Sequence, residues 1–161
     1  MLPWPPAARR LKWGRFGQPL PEDPASKEYF WGPRGIAVDP QGHVFVADTG
    51  NKRIVVFDED GNYLTEFGSG GFDPGQFDEP VGVAVGSDGT VYVAEAFVGQ
   101  LTAVARDGDR QVIATAPGGS FTAGVDARGR GTVTYTVSLP PEFENGPPTD
   151  TTLNRVLPNG S

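Results

Sequence analysis

The chain has 161 residues, room for one domain with a sizeable core, and it contains 23 Gly, 16 Pro and no Cys. The missing cysteine excludes a disulfide framework, thiolate chemistry and a Cys-based zinc site. The net charge of −7 is unevenly spread: residues 1–19 hold Arg9, Arg10, Lys12 and Arg15 and no acid, whereas 20–100 hold fourteen acids against Lys27, Arg34, Lys52 and Arg53. An acidic body disfavours a partner gripped through phosphates, so no nucleic-acid partner is expected.

The start, Met1-Leu-Pro-Trp-Pro-Pro, lacks the positive and then apolar pattern of a signal peptide, and no apolar run is long enough to span a membrane. The chain therefore reads as soluble. Its compartment is unknown, and a longer parent protein is expected to be extracytoplasmic and bacterial. Residues 1–32 read as an N-terminal segment with an orphan outer strand over 9–16 and a Pro-rich linker. Three units follow, at 33–79, 80–121 and 122–161, the last incomplete.

In the first unit, 35–39 is a short apolar strand without polar alternation, as expected if both of its faces are buried. Asp39-Pro-Gln-Gly42 has the residues of a type I turn. Strands are predicted at 43–48, 53–58 and 63–67, with Glu59-Asp-Gly-Asn62 closing a hairpin. The second unit repeats the order through Gly82-Val-Ala-Val85, Thr90-Val-Tyr-Val-Ala-Glu95, Leu101–Arg106 and Gln111–Ala116. The third holds Gly124-Val-Asp-Ala127, Thr132–Val137, a long Pro-rich loop over 138–148, and 154–157. The Gly35, Gly82 and Gly124 starts lie 47 and 42 residues apart. That period predicts an all-β chain of four-stranded antiparallel blades, about three of them, from a partial or half β-propeller.

Pro33-Arg-Gly-Ile-Ala-Val-Asp39, Val44-Phe-Val-Ala-Asp-Thr-Gly-Asn-Lys-Arg-Ile54, and the connector Gly68-Ser-Gly-Gly-Phe-Asp-Pro-Gly-Gln-Phe77 leading to Pro80 together resemble the NHL-repeat family. The third unit is more similar to the divergent propellers of scytonemin-type gene clusters. The resemblance implies a ring of six blades in most members, and three blades do not close one. The chain is expected to be a fragment of a longer product, one half of a homodimer closing a six-bladed ring, or an open arc with unpaired strand edges at its ends.

The resemblance also implies a ligand face formed by the second-to-third and fourth-to-first connections. Candidate partner-binding residues on that face are Asp48, Asn51, Lys52 and Arg53, then Glu95 and Phe97, and Glu142, Phe143 and Glu144 in the Pro-rich loop. Asp48, Asn51 and Arg53 have a structural reading too, as a turn that bonds its own backbone and a carboxylate that pairs with Arg. Asp58-Glu-Asp-Gly-Asn62 lacks the spaced acid of a calcium loop and reads as a turn. His43 is the sole histidine, which excludes a catalytic triad or a multi-His zinc site within the chain. The inner strands offer Asp126 as their one acid, so no metal, cofactor or catalytic residue is assigned. The leading expectation is a non-catalytic scaffold presenting loops to a protein, peptide or glycan. The alternatives are part of a propeller enzyme of lyase or lactonase type, with a channel metal completed by further blades, and an RNA-binding domain, which the charge disfavours.

Overall fold

The computed structural model describes residues 12–115 and, beyond them, the strand residues 120–121, 126–128, 132–138 and 152–156. Apart from two short 3₁₀ turns, every described element is a strand. No helix among the described residues is long and apolar enough to cross a membrane.

Three four-stranded antiparallel sheets follow one another. The first is a plain meander of β3 (Gly35–Val38), β4 (Val44–Asp48), β5 (Arg53–Phe57) and β6 (Tyr63–Phe67). The second repeats it with β7 (Pro80–Val85), β8 (Val91–Glu95), β9 (Gln100–Val104) and β10 (Arg110–Thr115). The third is built on β13 (Thr132–Ser138). It pairs on one side with both β11 (Ser120–Phe121) and β12 (Asp126–Arg128), and on the other with β14 (Thr152–Val156). The all-β reading and the blade pattern thus hold.

The middle strands of the first blade are runs of β-branched and aromatic residues, Val44-Phe-Val-Ala-Asp48 and Arg53-Ile-Val-Val-Phe57, buried along their whole length. At the far end of each hairpin an Asp side chain accepts from the amide two residues ahead: Asp39 from Gln41, Asp58 from Asp60, Asp88 from Thr90, Asp107 from Asp109. These Asx turns close the strands without outside help. Asp39 also accepts from the amide and ring of His43. Burial alone would raise its pKa, but these hydrogen bonds outweigh it and hold the carboxyl below its ordinary value.

The blades stack face to face. Phe45, Ala47, Ile54 and Val56 of the first meet Val83, Val91, Val93 and Val104 of the second, with Phe77 from the connector wholly buried among them. Fully burying a side chain such as Phe77 stabilises the fold by about 1.5–3 kcal/mol. Gly35 permits the close approach at the inner strands: a Cβ there would lie 2.9 Å from the Val81 carbonyl oxygen. The opposite face of the second blade buries Ala84, Tyr92, Ala94 and Leu101.

One expectation is corrected. The inner strand β3 is not buried on both faces: Ile36 and Val38 are 67% and 62% exposed. β7 covers one face only. The N-terminal segment packs Trp13 and Phe30 over Val44, Val46, Val55 and Phe57 and leaves β3 uncovered. The face of the first blade that carries Ile36 and Val38 is therefore an exposed apolar sheet face.

The described part of the strand expected over 9–16 contributes β1 (Arg15–Phe16), which pairs in parallel with β2 (Tyr29–Phe30). Between them, Pro24–Glu28 forms a 3₁₀ turn capped by Asp23, whose carboxylate accepts from the Ala25 amide.

Candidate functional site

The meander order sends the β4–β5 turn, the β8–β9 turn and the connectors 31–34 and 68–79 to one end of the blades. The Asx turns lie at the other. Thr49 Oγ1 donates to the Pro80 carbonyl at 2.7 Å, which aligns the two blades at this connector end.

Asp48 and Arg53 face each other across the last register pair of β4 and β5. Both are buried, and the Arg53 guanidinium donates through Nε to Asp48 Oδ2 at 3.0 Å. It also donates to Glu66 and to the carbonyls of Lys27 and Tyr29. Asp48 further accepts from the Trp31 amide at 2.8 Å and from Asn51 Nδ2 at 2.7 Å, and Asn51 Nδ2 reaches the Gly17 carbonyl at 3.1 Å. Lys27 Nζ meets Glu66 at 2.5 Å. The charged atoms of this motif are therefore engaged within the chain, and they fasten the N-terminal segment to the first blade. Lys52 stands just outside, in the left-handed conformation that ends the 49–51 turn, with its ammonium 3.3 Å from Asp78.

Glu95 occupies in the second blade the register position of Asp48. It accepts from the Asp78 amide at 3.0 Å, as Asp48 accepts from that of Trp31, and from Thr102 Oγ1 at 3.3 Å. Where Arg53 would stand there is Gln100, and among the described residues no cation lies in ion-pair contact with Glu95. Burial pushes the Glu95 carboxyl above its ordinary pKa. The Asp78 amide and Thr102 hydroxyl oppose the rise, the charge of Asp78 adds to it, and that of Arg110 opposes it.

Beside Glu95 is a cavity of about 240 Å³, bounded by Pro74, Gln76, Gln100, Thr102, Arg110 and Val112. A larger cleft of about 890 Å³ opens between the blades over Phe45, Phe67, Val91, Val104 and Arg110. Arg110 lies over the Phe77 ring, 4.6 Å from its centroid.

The surface of the connector end is aromatic. Phe97, a sequence candidate, is 75% exposed and Phe72 74% exposed, whereas Phe77 of the same connector as Phe72 is buried between the blades. Phe16 and Trp31 are exposed and in contact with each other, their centroids 5.8 Å apart. Arg34 pairs with Glu79 at 3.0 Å. Phe16, Trp31 and Arg34 were not among the sequence candidates. Trp31 just ahead of a strand start was the available signal. Glu142, Phe143 and Glu144 lie outside the described residues.

Successive four-stranded antiparallel sheets whose inner strands β3, β7 and β12 stand side by side define the class: these are blades of a β-propeller. Residues 30–57, which contain Asp48, Asn51 and Arg53, match the NHL repeat, and the chain therefore carries one.

Among curated proteins, protein brain tumor of Drosophila melanogaster is 36% identical over 85 residues, which is 52% of this chain and 8% of that protein. RING finger protein nhl-1 of Caenorhabditis elegans is 43% identical over 52 residues, 32% of this chain and 5% of that protein. The chain thus spans less than a tenth of the length of these relatives. Among solved structures, a streptogramin B lyase aligns with 88% of this chain and 44% of its own, at a TM-score of 0.52 and 18% identity. A nidogen/laminin complex aligns with 80% of this chain and 45% of its own, at a TM-score of 0.55 and 15% identity. At these identities the likeness is one of fold.

Proposed function

We propose that the chain is a non-catalytic scaffold whose connector end receives a protein, peptide or glycan. The observation that carries this reading is the set of exposed aromatic side chains Phe16, Trp31, Phe72 and Phe97, held at one end of blades whose other large apolar groups are mostly packed. Exposed aromatics on loops set by a stiff sheet suit recognition of such partners. Among the described residues no three or more His, Cys, Asp or Glu side chains converge as they would around a metal. The net charge of −7 counts against a phosphate backbone as the partner. In this reading Lys52 and Arg34 form the polar rim, and Asp48, Asn51 and Arg53 hold the surface in shape from beneath.

The test is a glycan array and a displayed peptide library, probed with the unaltered chain and with a Phe72→Ser, Phe97→Ser double variant. Both side chains are exposed, so the variant is expected to keep its melting temperature and lose the binders. Binders held equally well by the variant would sink the connector-end reading.

A further inference from the structure

The two blades can be superposed residue by residue through their hydrogen-bond register. Asp48 pairs with Arg53 as Glu95 pairs with Gln100, and Val55 pairs with Glu66 as Thr102 pairs with Val112. The matching amide bonds, Trp31 to Asp48 and Asp78 to Glu95, fix the connectors, so Lys27 corresponds to Pro74 and Tyr29 to Gln76. In the first blade the space enclosed by Lys27, Tyr29, Asp48 and Glu66 is filled by the Arg53 guanidinium. In the second blade the corresponding residues, Pro74, Gln76, Glu95 and Val112, line the cavity of about 240 Å³, with Gln100 on its wall. The repeat keeps the recess and the carboxylate but has lost the cation that pairs with it; Arg110 on the wall lies outside ion-pair contact.

We propose that this recess is a binding site for a guanidinium group, the end of an arginine side chain, seated against Glu95 in the place that Arg53 takes in the first blade.

Three features support the assignment. Glu95 is only 5% exposed, so its carboxylate is removed from water, and among the described residues it has no ion partner such as Asp48 has. A buried carboxylate gains most from a planar, multiply donating cation, which is why guanidinium suits such sites better than ammonium. The cavity is smaller than the roughly 300–1,000 Å³ of sites for drug-sized ligands, which fits a guest the size of one side chain. The residues facing Glu95 bear on the sign of the effect. Asp78 is held by Lys52, and Arg110 reaches the wall of the recess but rests on Phe77, outside ion-pair contact with Glu95. Arg110 therefore opposes a cationic guest. This site deepens the scaffold reading, since an arginine-bearing segment is then what docks, but its test reads the guest directly and leaves the aromatic surface untouched.

The test is a nuclear magnetic resonance titration of the full chain with N-acetyl-arginine amide, with N-acetyl-lysine amide and methylguanidinium as comparators. The expected result is saturable binding that shifts the Glu95, Gln100 and Thr102 amides, at least about tenfold tighter for the arginine amide than for the lysine amide. Methylguanidinium shifting the same amides would show that the group alone suffices. Binding of the peptide-like probe without it would overturn the assignment to the guanidinium. Gln100→Arg supplies the missing cation from within. It is expected to raise the melting temperature and abolish binding. Glu95→Gln is expected to weaken binding about tenfold or more, and Arg110→Met to strengthen it several-fold. Gln100→Arg or Glu95→Gln binding as tightly as the unaltered chain would overturn the proposal. Should Glu95→Gln fail to fold, the folded Gln100→Arg chain decides alone.

Discussion

Arg53 is the residue on which the first blade and the N-terminal segment most depend. Its guanidinium is enclosed by two carboxylates and two carbonyls, and Asp48 beneath it is wholly buried. Removing one partner of such a pair leaves the other charged and dry, at a cost of about 3–5 kcal/mol. Arg53→Ala is expected to lose stability of that order in urea denaturation and to make the main chain around residues 18–28 cleavable by protease in the folded state. Lys27→Ala, which removes a half-exposed ion pair, is expected to cost under about 1 kcal/mol. Equal losses from the two substitutions would show that the network does not act through burial. The pairing of Arg53 with a carboxylate was legible in the sequence, because Asp48-Thr-Gly-Asn51 is a turn that sets the two ends of a hairpin side by side. The grip on Lys27 and Tyr29 was not, since it is made to carbonyl oxygens that every residue carries.

The strands themselves were legible. Short Val, Ile and Phe runs punctuated by Asp-Gly turns leave little freedom in register, and β4, β5, β8 and β9 lie within a residue or two of their expected positions. What surrounds a strand was not legible: an apolar run such as Gly35–Val38 reads the same whether one face is covered or two, and β3 is covered on one. The inter-blade cleft is an element-scale difference of the same kind. The row Val44–Phe57–Tyr63 in the first blade has its counterpart in Val91–Val104–Arg110 of the second. The first row is filled by aromatic contacts among Trp13, Phe30, Phe57 and Tyr63. The second row is smaller and lines the opening of about 890 Å³. Val104→Phe restores the larger side chain where there is room for it. It is expected to raise stability by about 0.5–2 kcal/mol in thermal denaturation, as cavity-filling substitutions do. A loss of stability would mean that the cleft closes in solution and that the added ring overpacks it.

At the scale of the whole molecule, stacked blades cover one another's apolar faces, and the question is what covers the first. Val83, the counterpart of Ile36, is buried against the first blade, whereas Ile36 and Val38 are open. A second copy of the chain is one way to cover them, and light scattering of the purified chain is expected to give a dimer that Ile36→Asp with Val38→Asp converts to a monomer. A monomer from the unaltered chain would remove that pairing. The number of blades in a closed ring was not legible from repeats alone, since a repeat specifies its contact with a neighbour and carries no count.

The fastening of the N-terminal segment has a consequence for which substitutions it can absorb. Gly17, Lys27 and Tyr29 offer carbonyls, and Trp31 offers its amide and its carbonyl, to side chains and backbone of the first blade. The blade thus reads the path of the segment more than its letters. The carbonyls of Lys27 and Tyr29 stay in place under substitutions that keep the path, whereas the buried Ser26 hydroxyl, which donates to the carbonyls of Leu20 and Asp23, holds the path itself.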